Sequence, residues 1–235
     1  MTETSAPRTA RDYARIELTR AILASARRQL AEVGPAALSV RAVARDLGMA
    51  SSATYRYFRS RDELLTALLI ESYDELGEAV EKADAGVVDR ADLAGRWSAA
   101  CHAVRDWAVA HPHEYALLYG SPVPGYAAPE TTVPAASRVP MVLLSLTHDA
   151  QAAGRALGAP AIDVPPAEVA ALRGIRDLTD FVIDDRRLVR SLMAWATLFG
   201  HVSLELFGHM HRGVLDYDAH FAQVVESLAA DLGIA

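Results

Sequence analysis

Apolar side chains recur every three or four residues along most of the chain, which is the spacing of the buried face of an α-helix. The first run comprises Ile16, Leu23, Ala26, Leu30 and Val33. Gly34-Pro35 then predicts the end of that helix, because proline has no amide proton for the helical ladder. No segment alternates apolar and polar positions as a half-buried strand would, and the sequence contains no internal repeat. We therefore predict an all-α fold.

Two short helices separated by a tight turn are predicted next. Ser39 can cap the first, and Gly48 can end it in the left-handed conformation that glycine adopts most easily. Ser51 or Ser52 can cap the second, which is the segment SSATYRYF, residues 51–58. Two helices joined in this way predict a helix-turn-helix, whose second helix enters the major groove of DNA while the first crosses the backbone.

Only one side of SSATYRYF is expected to be buried, because Thr54 and Phe58 lie four residues apart on the same face. The other side chains then point toward solvent or DNA. Tyrosine and arginine are good phosphate donors, and small residues let a helix approach the groove. The alternative for these residues is a solvated surface. The predicted DNA contacts are Arg41 to a base edge, Tyr55, Tyr57 and Arg61 to phosphates, and Ser39, Ser51, Ser52, Ala53 and Arg56 at the same surface.

The two ends of the chain differ in charge. Residues 1–65 contain 11 Arg and no Lys against 7 Asp and Glu, whereas residues 66–235 contain 12 basic and 23 acidic residues. The net charges of +4 and −11 sum to the −7 of the whole chain. A basic end on an acidic body is expected when only that end binds a polyanion. We predict a disordered tail at 1–12, a DNA-binding domain at 13–60, and a ligand-binding and dimerisation domain at 61–235.

The larger C-terminal part is also predicted to be helical. A fourth helix should start near Ser60, and the proline-rich segment 121–140 is predicted to be a long loop. A long apolar seam for helix packing precedes a last helix, Phe221 to Leu232. The seam consists of Leu188, Leu192, Trp195, Phe199, Val202 and Leu206.

The segment LSVRAVARDLGMASSATYRYFRSRDELL, residues 38–65, resembles the DNA-binding signature of the TetR family of transcriptional regulators. The signature's alanine, glycine, tyrosine and phenylalanine fall on Ala44, Gly48, Tyr55 and Phe58. The resemblance implies a homodimer that binds a double-stranded DNA operator and responds to a small-molecule effector.

Three positions depart from the family pattern: Thr54 replaces the usual leucine, Tyr57 the common histidine and Arg61 the usual lysine. Tyr57 and Arg61 keep hydrogen-bond donors, so DNA binding is still expected. A second segment, MAWATLFGHVSLELFGHM, residues 193–210, resembles a C-terminal subclass of the same family, with a Trp…Gly…Ser-Leu-Glu pattern on a dimerisation helix.

The family resemblance implies a ligand cavity within residues 90–200 and a four-helix dimer interface across a two-fold axis. Aromatic residues at helical spacing are also typical of an ordinary core, so both interpretations of these residues stay open. The candidate ligand-binding residues are Trp97, Cys101, Trp107, Tyr115, Tyr119, Met193 and Phe199. The candidate dimer residues are Trp195, Gly200, Leu204, Gly208, Phe221, Val225 and Leu228.

Other chemistry has little support in the sequence. His201, Glu205 and His209 follow i, i+4, i+8 spacing and could hold a metal, but hydrogen bonds across the dimer interface are the better interpretation, so we predict no metal and no cofactor. There is no catalytic motif such as G-x-S-x-G, a P-loop, G-x-G-x-x-G or His-Glu-x-x-His. The single cysteine, Cys101, lies among apolar residues and is expected to be a buried, inert thiol.

The most specific hypothesis is a repressor that a small apolar effector releases from a palindromic operator. The candidate pocket is aromatic and lacks a basic cluster, which favours an apolar effector. The polar N-terminus has no signal-peptide core and no apolar run approaches a membrane span, so we expect a cytoplasmic protein without a membrane partner. The alternatives are a helical enzyme and an effector-independent DNA-binding protein, whose C-terminal part would lack a cavity of roughly 300 Å³.

Overall fold

A computed structural model describes residues 9–235, and within this range the chain is helical and contains no strand, so the all-α prediction is confirmed. None of the helices in this range is long and apolar enough to cross a membrane. The α-helices are α1 Ala10–Val33, α2 Val40–Asp46, α3 Ser51–Thr54, α4 Arg61–Gly86, α5 Leu93–Ala110, α6 Pro112–Tyr119, α7 Val133–Ala152, α8 Pro166–Ala171, α9 Arg173–Arg176, α10 Asp185–Leu206 and α11 Tyr217–Leu232.

Helix α1 begins inside the segment that was predicted to be disordered. The Thr9 side chain accepts a hydrogen bond from the Asp12 amide, and the Asp12 carboxylate accepts one from the Thr9 amide at 2.8 Å. These hydrogen bonds from Thr9 lower the pKa of Asp12. This reciprocal capping box satisfies amide groups that would otherwise lack a helical partner. Residues 10–12 are therefore helical, and residues 1–8 of the predicted tail lie outside the described residues.

The first three helices and the start of α4 share one apolar core. Ile22 and Leu30 from α1, Val43 from α2, Phe58 after α3 and Leu64 from α4 are all buried in it. Burying a large apolar side chain stabilises a fold by about 1.5–3 kcal/mol. This cluster therefore fixes how α2 and α3 are presented at the surface.

Helix α4 joins the N-terminal core to the body of the protein. The Ser60 side chain accepts a hydrogen bond from the Glu63 amide at 3.0 Å, so the predicted start of this helix is confirmed. Leu64 lies in the N-terminal core, whereas Leu76 and Val80 lie in a second, larger core. At 26 residues, α4 is about 39 Å long at ~1.5 Å per residue. A movement at one end of α4 can therefore reach the other domain.

The larger core lies between α4, α5, α7, α10 and α11. Trp97 of α5 is fully buried and donates its indole Nε1–H to the Val225 carbonyl of α11 at 3.0 Å. Phe221 of α11 and Leu198 of α10 are also fully buried there. The last helix is thus part of the chain's own core.

The predicted long loop at 121–140 is shorter than expected, because α7 already begins at Val133. Pro134 lies in the first turn, where a missing amide proton costs nothing. Pro140 lies inside the helix and has no amide proton to donate to the carbonyl of Ala136. A proline in the helix interior usually marks a break, which is why the prediction failed here.

Candidate functional site

The turn between α2 and α3 has the geometry that the helix-turn-helix prediction requires. The Ser39 hydroxyl accepts a hydrogen bond from the Ala42 amide at 3.4 Å and caps α2, as predicted. Gly48 has φ +64°, a left-handed conformation in which a side chain would be strained. The Met49 amide then donates to the Ala44 carbonyl at 2.8 Å, which closes the end of α2 in a Schellman-type turn. The direction in which α3 leaves the turn is thereby fixed.

Helix α3 presents its two serines outward. Its N-cap is Ala50, and no side chain caps it, so the prediction that Ser51 or Ser52 would do so is wrong. Both serines are exposed instead. Thr54 and Phe58 are buried on the inner side, as predicted.

The outer surface of α2 and α3 is basic and aromatic. Arg41, Tyr55 and Arg56 are exposed, and neither arginine forms an ion pair with another residue in the range 9–235. Tyr57 is half-buried, with the guanidinium of Arg15 over its ring at 5.9 Å from the ring centre. Cationic groups without acidic partners can bind phosphate oxygens. Ala53 is half-buried beside them.

Arg61 differs from the other predicted DNA contacts. It is half-buried, and its Nη2 donates to the Pro35 carbonyl at 3.0 Å, so part of its side chain holds the start of α4 against the turn after α1. Sequence reasoning also missed two arginines. Arg45 lies four residues after Arg41 on the same face of α2, and Arg59 follows Phe58; both are exposed. The i, i+4 arginine pair was a signal that could have identified Arg45.

A cavity of about 280 Å³ lies in the body of the protein between α7, α10 and Trp97 of α5. Pro140 and Trp195 form part of its wall. Val133 and Leu178 also line it and are 42% and 56% exposed, which places them at its rim. None of the described side chains that line the cavity is ionisable. Its volume is close to the lower end of the range for small-molecule sites, roughly 300–1,000 Å³.

Most of the predicted ligand-binding residues lie elsewhere. Trp97 lines the cavity. Tyr115 is fully buried, its hydroxyl donates to the Phe199 carbonyl at 2.9 Å, and burial raises its pKa to about 12. Burial also raises the pKa of the Cys101 thiol, which disfavours a reactive thiolate. These aromatic and apolar side chains fill the core rather than the cavity wall. The residues placed away from the cavity are Cys101, Trp107, Tyr115, Tyr119 and Phe199 in or against the core, and Met193 on the surface.

The predicted dimer residues divide into an inner and an outer set. Gly200 and Leu204 are exposed on α10, whereas Gly208 lies beyond the helix end at φ +76°. Trp195 is half-buried at the cavity. Phe221, Val225 and Leu228 are buried within the chain, so their assignment to the dimer interface is wrong. The seam prediction fails for the same reason, because it identified the face of α10 that packs on its own core: Leu188, Phe199 and Val202 are buried there.

The outer surface of α10 carries a different apolar series, spaced by three, four, four and three residues. We call it the outer stripe. Met193, Leu204 and Phe207 in it are 50%, 47% and 44% exposed. A side chain added at Gly200 would meet no other atom within 4 Å. Exposed apolar patches of this kind mark interaction surfaces. The outer stripe consists of Met193, Ala196, Gly200, Leu204 and Phe207.

The proposed metal trio is divided between different environments. Glu205 binds Arg105 of α5 through two hydrogen bonds of 2.7 Å each, within the same chain rather than across an interface. His201 is buried, with its ring centre 5.2 Å from that of His220; burial and the neighbouring His220 lower the pKa of His201. His209 follows the end of α10 and is exposed. No group of residues in the described part of the chain has a metal-binding arrangement.

Comparisons with known proteins agree with the geometry of the turn. Residues 22–68 match the family described as bacterial regulatory proteins, tetR family, and residues 97–228 match the tetracyclin repressor-like C-terminal domain. The chain belongs to the TetR family. HTH-type transcriptional regulators of Mycobacterium tuberculosis and Mycobacterium bovis are 42% identical to it over 229 residues, covering 92% of this chain and 94% of theirs.

Solved structures give the same assignment. The crystal structure of the regulatory protein SCO4313 superposes with a TM-score of 0.76 at 31% identity, covering 95% of this chain and 98% of that one. A Rhodococcus protein of unknown function superposes with a TM-score of 0.64 at 27% identity, covering 99% and 97%. The TetR-family chain is therefore a DNA-binding transcriptional regulator and not an enzyme, and the helical-enzyme alternative is excluded.

Proposed function

We propose that this TetR-family regulator is a homodimeric, cytoplasmic repressor that a small apolar effector releases from a palindromic operator. The observation that carries the proposal is the unpaired basic surface of α2 and α3, which α4 connects to a cavity in the body. An effector-independent DNA-binding protein would have no use for an apolar cavity of about 280 Å³.

For DNA recognition, we assign Arg41 to a base edge, and Tyr55, Arg56 and Tyr57 to the groove walls. A guanidinium can bind guanine with two hydrogen bonds, which no other base offers in the same geometry. The Tyr57 hydroxyl makes no hydrogen bond with another described residue, so it is free for a phosphate. Arg45 and Arg59 add phosphate contacts, and they take over the role first assigned to Arg61.

Coupling between the cavity and DNA runs through α4, which is held on two sides by arginines. Arg27 of α1 binds Glu75 of α4 at 2.6 and 3.0 Å. Arg138 of α7 binds Glu81 of α4 at 2.6 and 2.8 Å. A side chain added at Gly77 of α4 would lie 2.7 Å from the Arg138 Cβ, so this glycine allows the close contact. The helix that forms the cavity wall and the helix that begins the DNA-binding domain thus grip the same element.

The effector acts, in this mechanism, by favouring one position of α7. Ser137 and Pro140 of α7 line the cavity and flank Arg138, which holds α4. An effector that fits only one position of α7 shifts α4, and with it the distance between the two recognition helices of the dimer. Repression ends when that distance no longer matches two adjacent major grooves.

For assembly, we propose that the outer stripe of α10 packs against its own copy across a two-fold axis, together with the exposed face of α11. Small residues on the exposed face of α11, Ala219, Ser227 and Ala230, allow close approach of helices. An isologous interface of this kind places the same stripe on both sides.

The experiment that tests DNA recognition compares two variants on two DNAs. We expect Arg41→Ala to lose about 1–3 kcal/mol per subunit on an operator selected from a random pool, and little on unselected DNA. Tyr57→Phe should lose a smaller amount on both DNAs without changing the salt slope, because it removes an uncharged phosphate contact. Binding is measured by fluorescence anisotropy across a salt series.

Arg173→Ala is the matched control, because Arg173 is exposed on α9 in the body of the protein. It should bind as the unchanged protein does. Equal losses on both DNAs for Arg41→Ala would remove it as a base-reading residue. Unchanged binding by both Arg41→Ala and Tyr57→Phe would show that this surface does not bind DNA.

A further inference from the structure

The cavity wall contains several hydrogen-bond donors, and nearly all of them are already used within the protein. Trp97 Nε1 donates to the Val225 carbonyl at 3.0 Å. The hydroxyls of Thr132 and Ser137 donate to backbone carbonyls of their own segment, each at 2.8 Å. The Thr147 hydroxyl donates to the Leu143 carbonyl at 3.1 Å, and that of Ser191 to the Arg187 carbonyl at 2.9 Å. None of these protons is left for a ligand.

Trp195 is the exception among the described wall residues. Its indole lines the cavity, and its Nε1 is buried without a hydrogen-bond partner. A buried donor without a partner is unfavourable, and native structures rarely retain one without a reason. The ring itself is held in place by Phe199, whose centroid lies 5.5 Å away. The indole N–H is therefore positioned but unpaired.

The rest of the wall excludes charged ligands. No ionisable side chain lines the cavity, so a carboxylate, phosphate or ammonium group would be buried without a counter-charge. Leucine, isoleucine, methionine, valine and proline supply most of the remaining surface. A ligand that fits this wall is apolar over most of its surface.

We infer that the effector is an uncharged, largely apolar molecule with one hydrogen-bond acceptor, such as a ketone, ester or ether oxygen, that receives the Trp195 Nε1–H. Its size is on the order of 12 non-hydrogen atoms, scaled from the roughly 150 Å³ cavity that holds benzene. This inference rests on the proposed function, because it assigns the chemistry of the effector at the same cavity.

The test uses two probes of nearly equal shape, benzophenone and diphenylmethane, which differ by one carbonyl oxygen. Isothermal titration calorimetry on the full chain should show that benzophenone binds roughly 5- to 10-fold more tightly, as expected for one additional net hydrogen bond. In Trp195→Phe the ratio should fall to about one, since phenylalanine keeps an aromatic ring but has no donor. The ratio is used because Trp195→Phe can change the affinity for both probes through the cavity volume.

Trp107→Phe is the matched control, because Trp107 is a buried tryptophan away from the cavity, and it should keep the preference for benzophenone. Equal binding of the two probes by the unchanged protein would overturn the acceptor inference while leaving an apolar effector site in place. A preference that persists in Trp195→Phe would overturn the role of Trp195. Binding of neither probe would overturn the effector site itself, whereas the DNA-binding test with Arg41→Ala is independent of all three outcomes.

Discussion

Replacing Leu204 with Asp should convert the protein into a monomer of 25.3 kDa at micromolar concentration. Leu204 is 47% exposed in the single chain, so the substitution leaves the chain's own core intact. In a two-fold dimer each substitution occurs twice on the same surface, and burying unpaired carboxylates costs several kcal/mol. Sedimentation velocity distinguishes the monomer from a particle of twice that mass.

Val109→Asp is the matched control for this substitution. Val109 is 50% exposed on α5, outside the outer stripe, so its replacement adds the same charge at a similarly exposed helical position. It should sediment as the unchanged protein does. If Leu204→Asp also remains dimeric, the interface lies on another face of the molecule.

Replacing Arg105 with Met should destabilise the folded protein by about 3–5 kcal/mol. Arg105 is 8% exposed, and its bidentate partner Glu205 has a side chain that is 11% exposed. The hydrogen bonds with Glu205 raise the pKa of Arg105. Without the guanidinium, the Glu205 carboxylate remains buried with no cation. Urea denaturation followed by circular dichroism at a fixed protein concentration measures the loss.

The double variant Arg105→Met, Glu205→Leu separates charge from packing. Replacing both members of a buried ion pair by apolar residues is often close to neutral, so the double variant should recover most of the stability. The second partner of Arg105, Asp218, has an 89% exposed side chain, and its contact contributes little. If the single and double variants lose equal stability, the loss arises from packing.

The DNA-binding half of the molecule could be predicted from the sequence because its signals are local. Ser39, Gly48 and Ser60 each act through their own backbone or a neighbour within four residues, and all three behave as predicted. Thr54 and Phe58 were placed on the buried side by spacing alone. The cap of α3 was wrong because Ala50 precedes the helix, and its backbone alone begins it.

The body of the protein was harder to predict because its sites depend on distant contacts. Apolar spacing on α10 identified a seam, but spacing does not say whether a seam packs on its own chain or on a partner. Phe221 and Val225 were assigned to an interface, yet α5 and α10 already cover them. Trp195 was placed at the interface and lies at the cavity, because Pro140 and the start of α7 were read as a loop. The exposed Met193, in turn, belongs to the outer stripe.

The central claim is that a symmetric dimer presents two copies of the SSATYRYF surface to adjacent major grooves. Hydroxyl-radical footprinting on an operator selected from a random pool tests this most directly. The account predicts two protected half-sites, related by inversion and centred about one helical turn apart, or roughly 10–10.5 base pairs. A single protected patch, or protection without inverted symmetry, would contradict it.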